Sequence, residues 1–197
     1  MKILHLSDTH NKHWLLNDLP AADVIVHSGD ASEFGQINEI IDFFVWFGAL
    51  DYKYKIFVAG NHDACLHNEK YVPGYLSYNS YYLCNSVVTL DGVKFWGVPY
   101  FINKGLCRKF MLQIPADTDI LVTHRPPFRI LDRTNNSYGC VHLMQAVWKI
   151  APRYHLFGHV HGAYGIQKSN ETTFVNASLL NEDDKLTNKP VVIEIES

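Results

Sequence analysis

Five times along the chain a short apolar run gives way abruptly to polar residues. Residues 2–7 (KILHLS) lead into Asp8-Thr9-His10, 23–28 (DVIVHS) into Gly29-Asp30, and 55–59 (KIFVA) into Gly60-Asn61-His62-Asp63. Further on, 119–123 (DILVT) lead into His124-Arg125-Pro126-Pro127, and 154–157 (YHLF) into Gly158-His159-Val160-His161. Short apolar runs bounded by Gly or Pro suit strands buried on both faces. The polar residues then fall on loops at the strands' C-terminal ends, where open α/β sheets bind ligands.

Apolar residues at near-helical spacing over 35–50 (Ile37, Ile40, Ile41, Phe44, Val45, Phe47) and 141–150 (Leu143, Met144, Ala146, Val147, Ile150) predict helices between the runs. Residues 87–90 and 93–98 flank Asp91-Gly92, a pair that tolerates the positive φ of a two-residue hairpin turn. Residues 172–176 and 191–195 read as closing strands, so the second half is expected to add antiparallel-type β structure to a βα first half. No internal repeat, low-complexity tract or linker interrupts the chain. A single α/β domain over 1–197 is expected.

Composition narrows the function classes. A chain of 197 residues, 47% hydrophobic and 19% charged, is expected to fold around a sizeable core. Net charge is −3 and there is no Lys/Arg block, which argues against a partner held through its nucleic-acid backbone. No apolar run reaches the roughly 18 residues of a membrane span, and the first ten residues lack the apolar stretch of a signal peptide. A cytoplasmic protein without a membrane partner is expected. Cys65, Cys84, Cys107 and Cys140 form no CxxC pair and read as reduced, ordinary thiols.

The eleven histidines change the picture, because several recur in the strand-exit pattern. The five loops offer Asp8, His10, Asp30, Asn61, His124, His159 and His161 as ligands. Mixed carboxylate, amide and imidazole donors suit borderline or hard divalent cations such as Mn, Fe or Zn. Asp30 is the candidate to bridge two ions. Paired cations roughly 3.5–4 Å apart clamp the attacking and leaving oxygens of phosphoryl transfer and make hydroxide available near neutral pH. Each piece alone is weak. A lone DxH arises often by chance, Gly-Asp after a strand is usually a turn, and HxH pairs often decorate surfaces. GNHD is stronger, since a plain turn needs fewer polar groups, and the ordered set of five is hard to obtain by accident.

The set DTH, GD, GNHD, THRPP and GHVH resembles the calcineurin-like metallophosphoesterase superfamily, in that order from residue 8 to 161. The stretches VHSGD, CVHLMQAV, YHLFGHVHGAYG, TTFVNAS and TNKPVV resemble the small branch that includes the vertebrate fetal-brain metallophosphoesterases. The resemblance implies a four-layer αββα sandwich of two mixed β-sheets with the dinuclear site at the strand C-terminal edge. It implies that Asp8, His10 and His161 hold one metal, that Asn61, His124 and His159 hold the other, and that Asp30 bridges them. His62 would be the catalytic histidine beside the phosphate, and Asp63 would orient it by hydrogen bonding. Some members of the branch lack a metal-binding histidine and are weak enzymes. Both GHVH histidines are present here, so an intact site with two divalent ions, manganese favoured, is expected. Arg125 departs from the small or aromatic residues common at its position.

The implied chemistry is in-line attack of a metal-bridging hydroxide on phosphorus, with His62 protonating the leaving alkoxide or holding the phosphate. Asn61, His62 and Arg125 form the substrate-facing set, Arg125 by pairing with a phosphate oxygen. The alternative for Arg125 is a solvated or bridging arginine. Arg129 and Arg133 read more readily as surface charge. Tyr71, Tyr75, Tyr78, Tyr81 and Tyr82 could stack a base, but a loop packed on the core explains them better; Tyr100 and Phe101 invite the same caution. His5, His27 and His155 lie within buried-strand patterns and read as packed; His142 lies on a predicted helix. His13 and His67 lie near motif loops and are weaker candidates to line the pocket. Asn176 is placed to buttress the GHVH loop.

Four functions fit this reading to different degrees. A phosphodiesterase acting on small substrates, cyclic nucleotides among them, is favoured by the branch resemblance and by compactness, since this length leaves little room for a capping domain. A phosphomonoesterase or protein phosphatase would use the same metals and His62. A nuclease is disfavoured by charge and size. A catalytically silent scaffold is disfavoured because no ligand position is lost. The sequence fixes neither the native metal nor the oligomeric state.

Overall fold

A computed structural model describes residues 1–67, 74–100, 107–133 and 136–196. Its strands are β1 (Lys2–Leu6), β2 (Val24–His27), β3 (Tyr54–Phe57), β4 (Ser80–Tyr82), β5 (Ser86–Leu90), β6 (Val93–Val98), β7 (Ile120–Thr123), β8 (Tyr154–Phe157), β9 (Gly165–Ser169), β10 (Thr172–Asn176) and β11 (Val191–Glu194). Its α-helices are α1 (Ile37–Ala49), α2 (Cys107–Met111) and α3 (Val141–Ile150). One sheet runs β11-β1-β2-β3-β4 and the other β5-β6-β7-β8-β10-β9.

Both sheets are mixed. β1, β2, β3 and β4 pair in parallel, with β11 antiparallel at the edge. β6, β7, β8 and β10 are also parallel, and only β5 and β9 run antiparallel at the two edges of that sheet. The second half adds the expected antiparallel pairings, β5 with β6, β9 with β10 and β11 with β1, around parallel central strands. The run at 120–123 is buried at all four positions, the signature of a parallel strand covered on both faces rather than of an alternating antiparallel one.

Burial shows why the runs are unbroken. Ile3, Val24, Val26 and Ile56 from one sheet meet Phe95, Ile120, Val122, Leu156 and Val175 from the other in a central core. On the outer face of the first sheet, Leu4, Leu6, Ile25 and Phe57 pack under Ile40, Phe43, Phe44 and Phe47 of α1. On the outer face of the second, Leu121, Phe157 and Phe174 pack under Leu143, Met144 and Val147 of α3. The order of layers is therefore helix, sheet, sheet, helix.

Local chemistry sets the element ends. α1 begins two residues later than the apolar spacing suggests, because Gly35 has φ +71° and Gln36 is an extended cap closed by a reciprocal bond with Glu39. α3 starts at Cys140, whose Sγ accepts from the Leu143 N–H, and stops at Ala151, which is left-handed. Asp91 and Gly92 both take positive φ and Leu90 pairs with Val93, giving the expected two-residue hairpin.

Three histidines serve the core. His5, His27 and His155 are fully buried and bond to Ser28 Oγ (2.8 Å), Thr9 Oγ1 (3.0 Å) and Thr123 Oγ1 (2.9 Å). Burial pushes each of them from 6.5 down to about 3. The unfolded chain protonates these rings near 6.5 while the native state keeps them neutral. Stability is thus complete above that value and is lost as pH falls toward 3, by about 1–2 kcal/mol per pH unit for each ring. The urea midpoint of metal-free protein should fall steeply between pH 6.5 and 4.5, and a flat profile there would contradict the buried neutral rings.

Candidate metal centre

The expected ligands sit where strands end. Asp8 and His10 follow β1, Asp30 follows β2, Asn61 follows β3, His124 follows β7, and His159 and His161 follow β8. Four of them, Asp8, His10, Asp30 and His159, hold positive φ values of 57°, 39°, 56° and 71°. Positive φ is uncommon outside glycine, and such strain clusters at functional sites. Loop-to-loop hydrogen bonds hold the turns: Asp8 N–H donates to Gly29 O (2.9 Å), His10 N–H to Asp30 O (3.0 Å) and Gly158 N–H to His124 O (3.1 Å).

Glycine makes the approach possible. A Cβ on Gly158 would meet the Ser7 side chain and the Asp8 carboxylate, both fully buried, and one on Gly60 would meet the Asp30 carboxylate. Gly158→Ala should therefore displace Asp8 and lower stability by about 1–3 kcal/mol, the range for overpacking. Urea denaturation together with metal-binding measurements would check both effects, and an unchanged midpoint would count against this packing.

The loops bring the side chains into two groups. Asp8, His10 and His161 form one, and Asp30, His124 and His159 the other; within each, the ligand atoms lie within 4.8 Å of one another. Asp30 reaches both. Its Oδ2 is 3.1 Å from His124 Nε2 and 3.7 Å from His10 Nε2, while its Oδ1 accepts the His62 N–H at 2.8 Å. Asn61 Oδ1 lies 3.1 Å from His124 Nε2. Asp8 Oδ1 lies 3.5 Å from His161 Nε2, and both its oxygens accept the His159 N–H at 3.1 Å.

Protonation follows from these partners. His124 Nδ1 meets the Ser28 carbonyl at 2.9 Å, and a carbonyl only accepts, so Nδ1 carries a proton and Nε2 faces Asp30 and Asn61. Burial opposes charge on His124, but the Asp30 carboxylate outweighs it and pushes the ring up to about 9. Burial also opposes charge on Asp8 and Asp30, yet the surrounding imidazoles hold both below the ordinary carboxylate range. His159 is lowered to about 4 by burial and by His124, which leaves its ring neutral. His10 Nε2 is buried and finds no hydrogen-bond partner. Buried anionic oxygens, the neutral His159 ring and the unpartnered His10 Nε2, beside a His124 ring that is charged only because carboxylates surround it, fit divalent cations that would take the place of such protons.

The cavity there has a volume of about 200 Å³ and is lined by His10 and His161 of one group and Asp30 and His159 of the other, with Asn61, His62, Glu33 and Asp184 beside them. His62 stacks edge-on to His10 with ring centroids 4.7 Å apart. Its Nδ1 donates to the Glu33 carbonyl at 2.7 Å. Asp63 does not orient His62, contrary to expectation. Its fully buried carboxylate accepts backbone N–H groups of Gly60 (2.8 Å), Asp30 (2.9 Å) and Ser32 (2.9 Å), and the Ser32 hydroxyl (3.0 Å). A carboxylate shut away from water takes the donors nearest it, and here these tie the β2 and β3 exit loops together. Burial and Asp30 push Asp63 up to about 6.

Arg125 flanks the centre. Its Nε donates to Tyr138 O (2.7 Å), and its guanidinium carbon sits 5.9 Å from the Tyr100 ring centroid. Tyr100 in turn packs 5.0 Å from His159. His13 turns away from the cavity into the α1 core, bonded to Asp42 (3.1 Å). Arg129 and Arg133 are exposed and His142 lies on α3. Tyr81 and Tyr82 pack against core residues, whereas Tyr75 and Tyr78 are exposed. Tyr71 and Phe101 lie outside the described residues, as does the side chain of His67. Asn176 Nδ2 donates to Val160 O (2.9 Å), bracing the GHVH loop as expected. Sequence reasoning missed Glu33 and Asp184, which carry no motif and reach the site only through folding.

Two facing mixed sheets with clustered carboxylates and imidazoles at one edge define a metal-dependent phosphoesterase. The chain belongs to the calcineurin-like phosphoesterase family, whose model matches residues 1–163. It is 34% identical to human metallophosphoesterase domain-containing protein 1, across 96% of this chain and 69% of that protein. A UPF0046 protein of Caenorhabditis elegans is 33% identical, covering 99% of this chain and 81% of its own length. In fold, the chain is similar to TT1561 of Thermus thermophilus, with a TM-score of 0.61 at 15% identity, covering 89% and 88% of the two chains. The family implies a dinuclear divalent-metal site. No helix among the described residues is long and apolar enough to cross a membrane.

Proposed function

We propose that this chain hydrolyses small phosphodiesters at a dinuclear centre, cyclic nucleotides being one such substrate class and manganese the favoured metal. Asp8, His10 and His161 hold one ion, Asn61, His124 and His159 the other, and Asp30 is shared. The observation that carries this reading is the position of Asp30, whose Oδ2 faces His124 on one side and His10 on the other. Divalent ions bound there supply an activated water and neutralise charge on the phosphate's non-bridging oxygens.

The chain's own residues do the rest. The Glu33 carbonyl fixes the proton of His62 on Nδ1. That leaves Nε2, once protonated, to hold the phosphate or to donate to the leaving oxygen. Arg125 is pinned by Tyr138 O beside His159 and adds positive charge at the rim of the site. A second hollow of about 270 Å³, bounded by Tyr100, Arg125, Met111 and Leu143, has in its wall the Tyr100 ring, which packs 5.0 Å from His159. Space for a second ester group supports the diester reading over the monoester one.

Paired assays with bis-p-nitrophenyl phosphate and p-nitrophenyl phosphate, with Mn²⁺ supplied, test the preference. The diester should show kcat/KM about tenfold or more higher, equivalent to about 1.4 kcal/mol of transition-state discrimination. The reverse ratio would assign a phosphomonoesterase, and metal-loaded but inert protein a scaffold.

A further inference from the structure

The two ligand groups are not backed alike. In the Asp8 group both histidines turn their outer nitrogens to carboxylates. His10 Nδ1 lies 3.3 Å from Glu33 Oε2, and His161 Nδ1 lies 3.0 Å from Asp184 Oδ1. In the Asp30 group, His124 Nδ1 meets only a backbone carbonyl, that of Ser28 at 2.9 Å. Asn61 beside it is a neutral donor. Among the described residues no carboxylate lies within ion-pair distance of His159. Arg125 stands on the His159 side and adds a like charge against any cation there.

We propose that Glu33 and Asp184 are positioning residues that make the Asp8 group the tighter of two unequal metal sites, so that the chain loads its cations in order. The inference rests on the dinuclear reading above and adds to it which site fills first. An ionised carboxylate accepts the Nδ1 proton, fixes the tautomer, turns Nε2 toward the metal and strengthens it as a donor. On the Asp8 group Asp184 makes this hydrogen bond to His161 and Glu33 stands within ion-pair distance of His10, whereas no carboxylate backs the other group among the described residues. Net charge points the same way, since Glu33 and Asp184 add negative charge beside one site and Arg125 adds positive charge beside the other. Glu33 has a second attachment, because its main-chain carbonyl holds His62. Loss of its carboxylate therefore alters the metal site without releasing His62.

The test is a Mn²⁺ titration of the metal-stripped full chain, with free ion followed by electron paramagnetic resonance and no substrate present. Native protein should bind two ions in separable steps about tenfold or more apart. Glu33→Gln and Asp184→Asn should each weaken the tight step by about tenfold, the low end for loss of a partner behind a ligand because both carboxylates are partly solvated. Each should leave the weak step within about threefold. Asp184→Glu should recover part of the loss. Asp184 is 73% exposed at its side chain, so the melting temperature of metal-free Asp184→Asn should match the native value. Two native ions bound with equal affinity would overturn the inference, as would variants that weaken both steps alike or neither. Those outcomes leave the dinuclear centre standing, whereas native protein that binds no Mn²⁺ removes both.

Discussion

Asp30→Asn is expected to cut turnover of a phosphodiester by about 10³-fold or more, close to 4 kcal/mol of barrier, and to cost the protein bound metal. Asparagine preserves the shape of the side chain and one acceptor oxygen, so the bond from the His62 N–H at 2.8 Å can persist. What disappears is the anionic oxygen facing His124 at 3.1 Å and His10 at 3.7 Å. An amide NH₂ in its place would point a donor at nitrogens that need a lone-pair or cation partner. Without both ions, water in the site returns toward its unassisted pKa, and hydroxide near neutral pH becomes scarce. Metal content by elemental analysis, read beside kcat/KM on bis-p-nitrophenyl phosphate, separates loss of ions from misfolding. A variant that kept two ions and native turnover would refute the shared role of Asp30.

His62→Ala should lower kcat by about 10²–10⁴-fold, the usual worth of a general acid, while the ions stay bound. His62 belongs to neither ligand group, and its ring lies 4.7 Å from that of His10 as a neighbour. The loss should be larger for a diester with an alkyl leaving group than for one releasing p-nitrophenolate, whose anion needs little protonation. Equal losses on the two substrates would assign His62 to holding the phosphate instead. Native turnover on both would remove it from the reaction.

Much of the site was legible because its donors follow unbroken apolar runs, and the order DTH, GD, GNHD, THRPP, GHVH survives in the linear chain. The parallel central strands were legible for the same reason, since a strand covered on both faces has no polar alternation to hide it. Other elements were not. β9 alternates half-buried and exposed residues at a sheet edge, and so never forms an apolar run. β4 is three residues long and half-buried throughout. The direction of β10 was also hidden. It pairs in parallel with β8, although β9 separates them in sequence, and no local pattern records which neighbour a strand chooses.

The sequence by itself determined which side chains can bind cations and that they leave strands at a common edge, because hydrophobic period and loop chemistry are local properties. Only the tertiary structure decided how those donors divide, through contacts between residues far apart in the chain. It set Asp30 between His10 and His124 and gave Asp63 to the backbone of two loops rather than to His62. It also brought Glu33 and Asp184 behind the histidines of one group alone. Hydrogen bonds and charge act over a few ångströms of space, and that distance is fixed by packing two sheets face to face rather than by spacing along the chain.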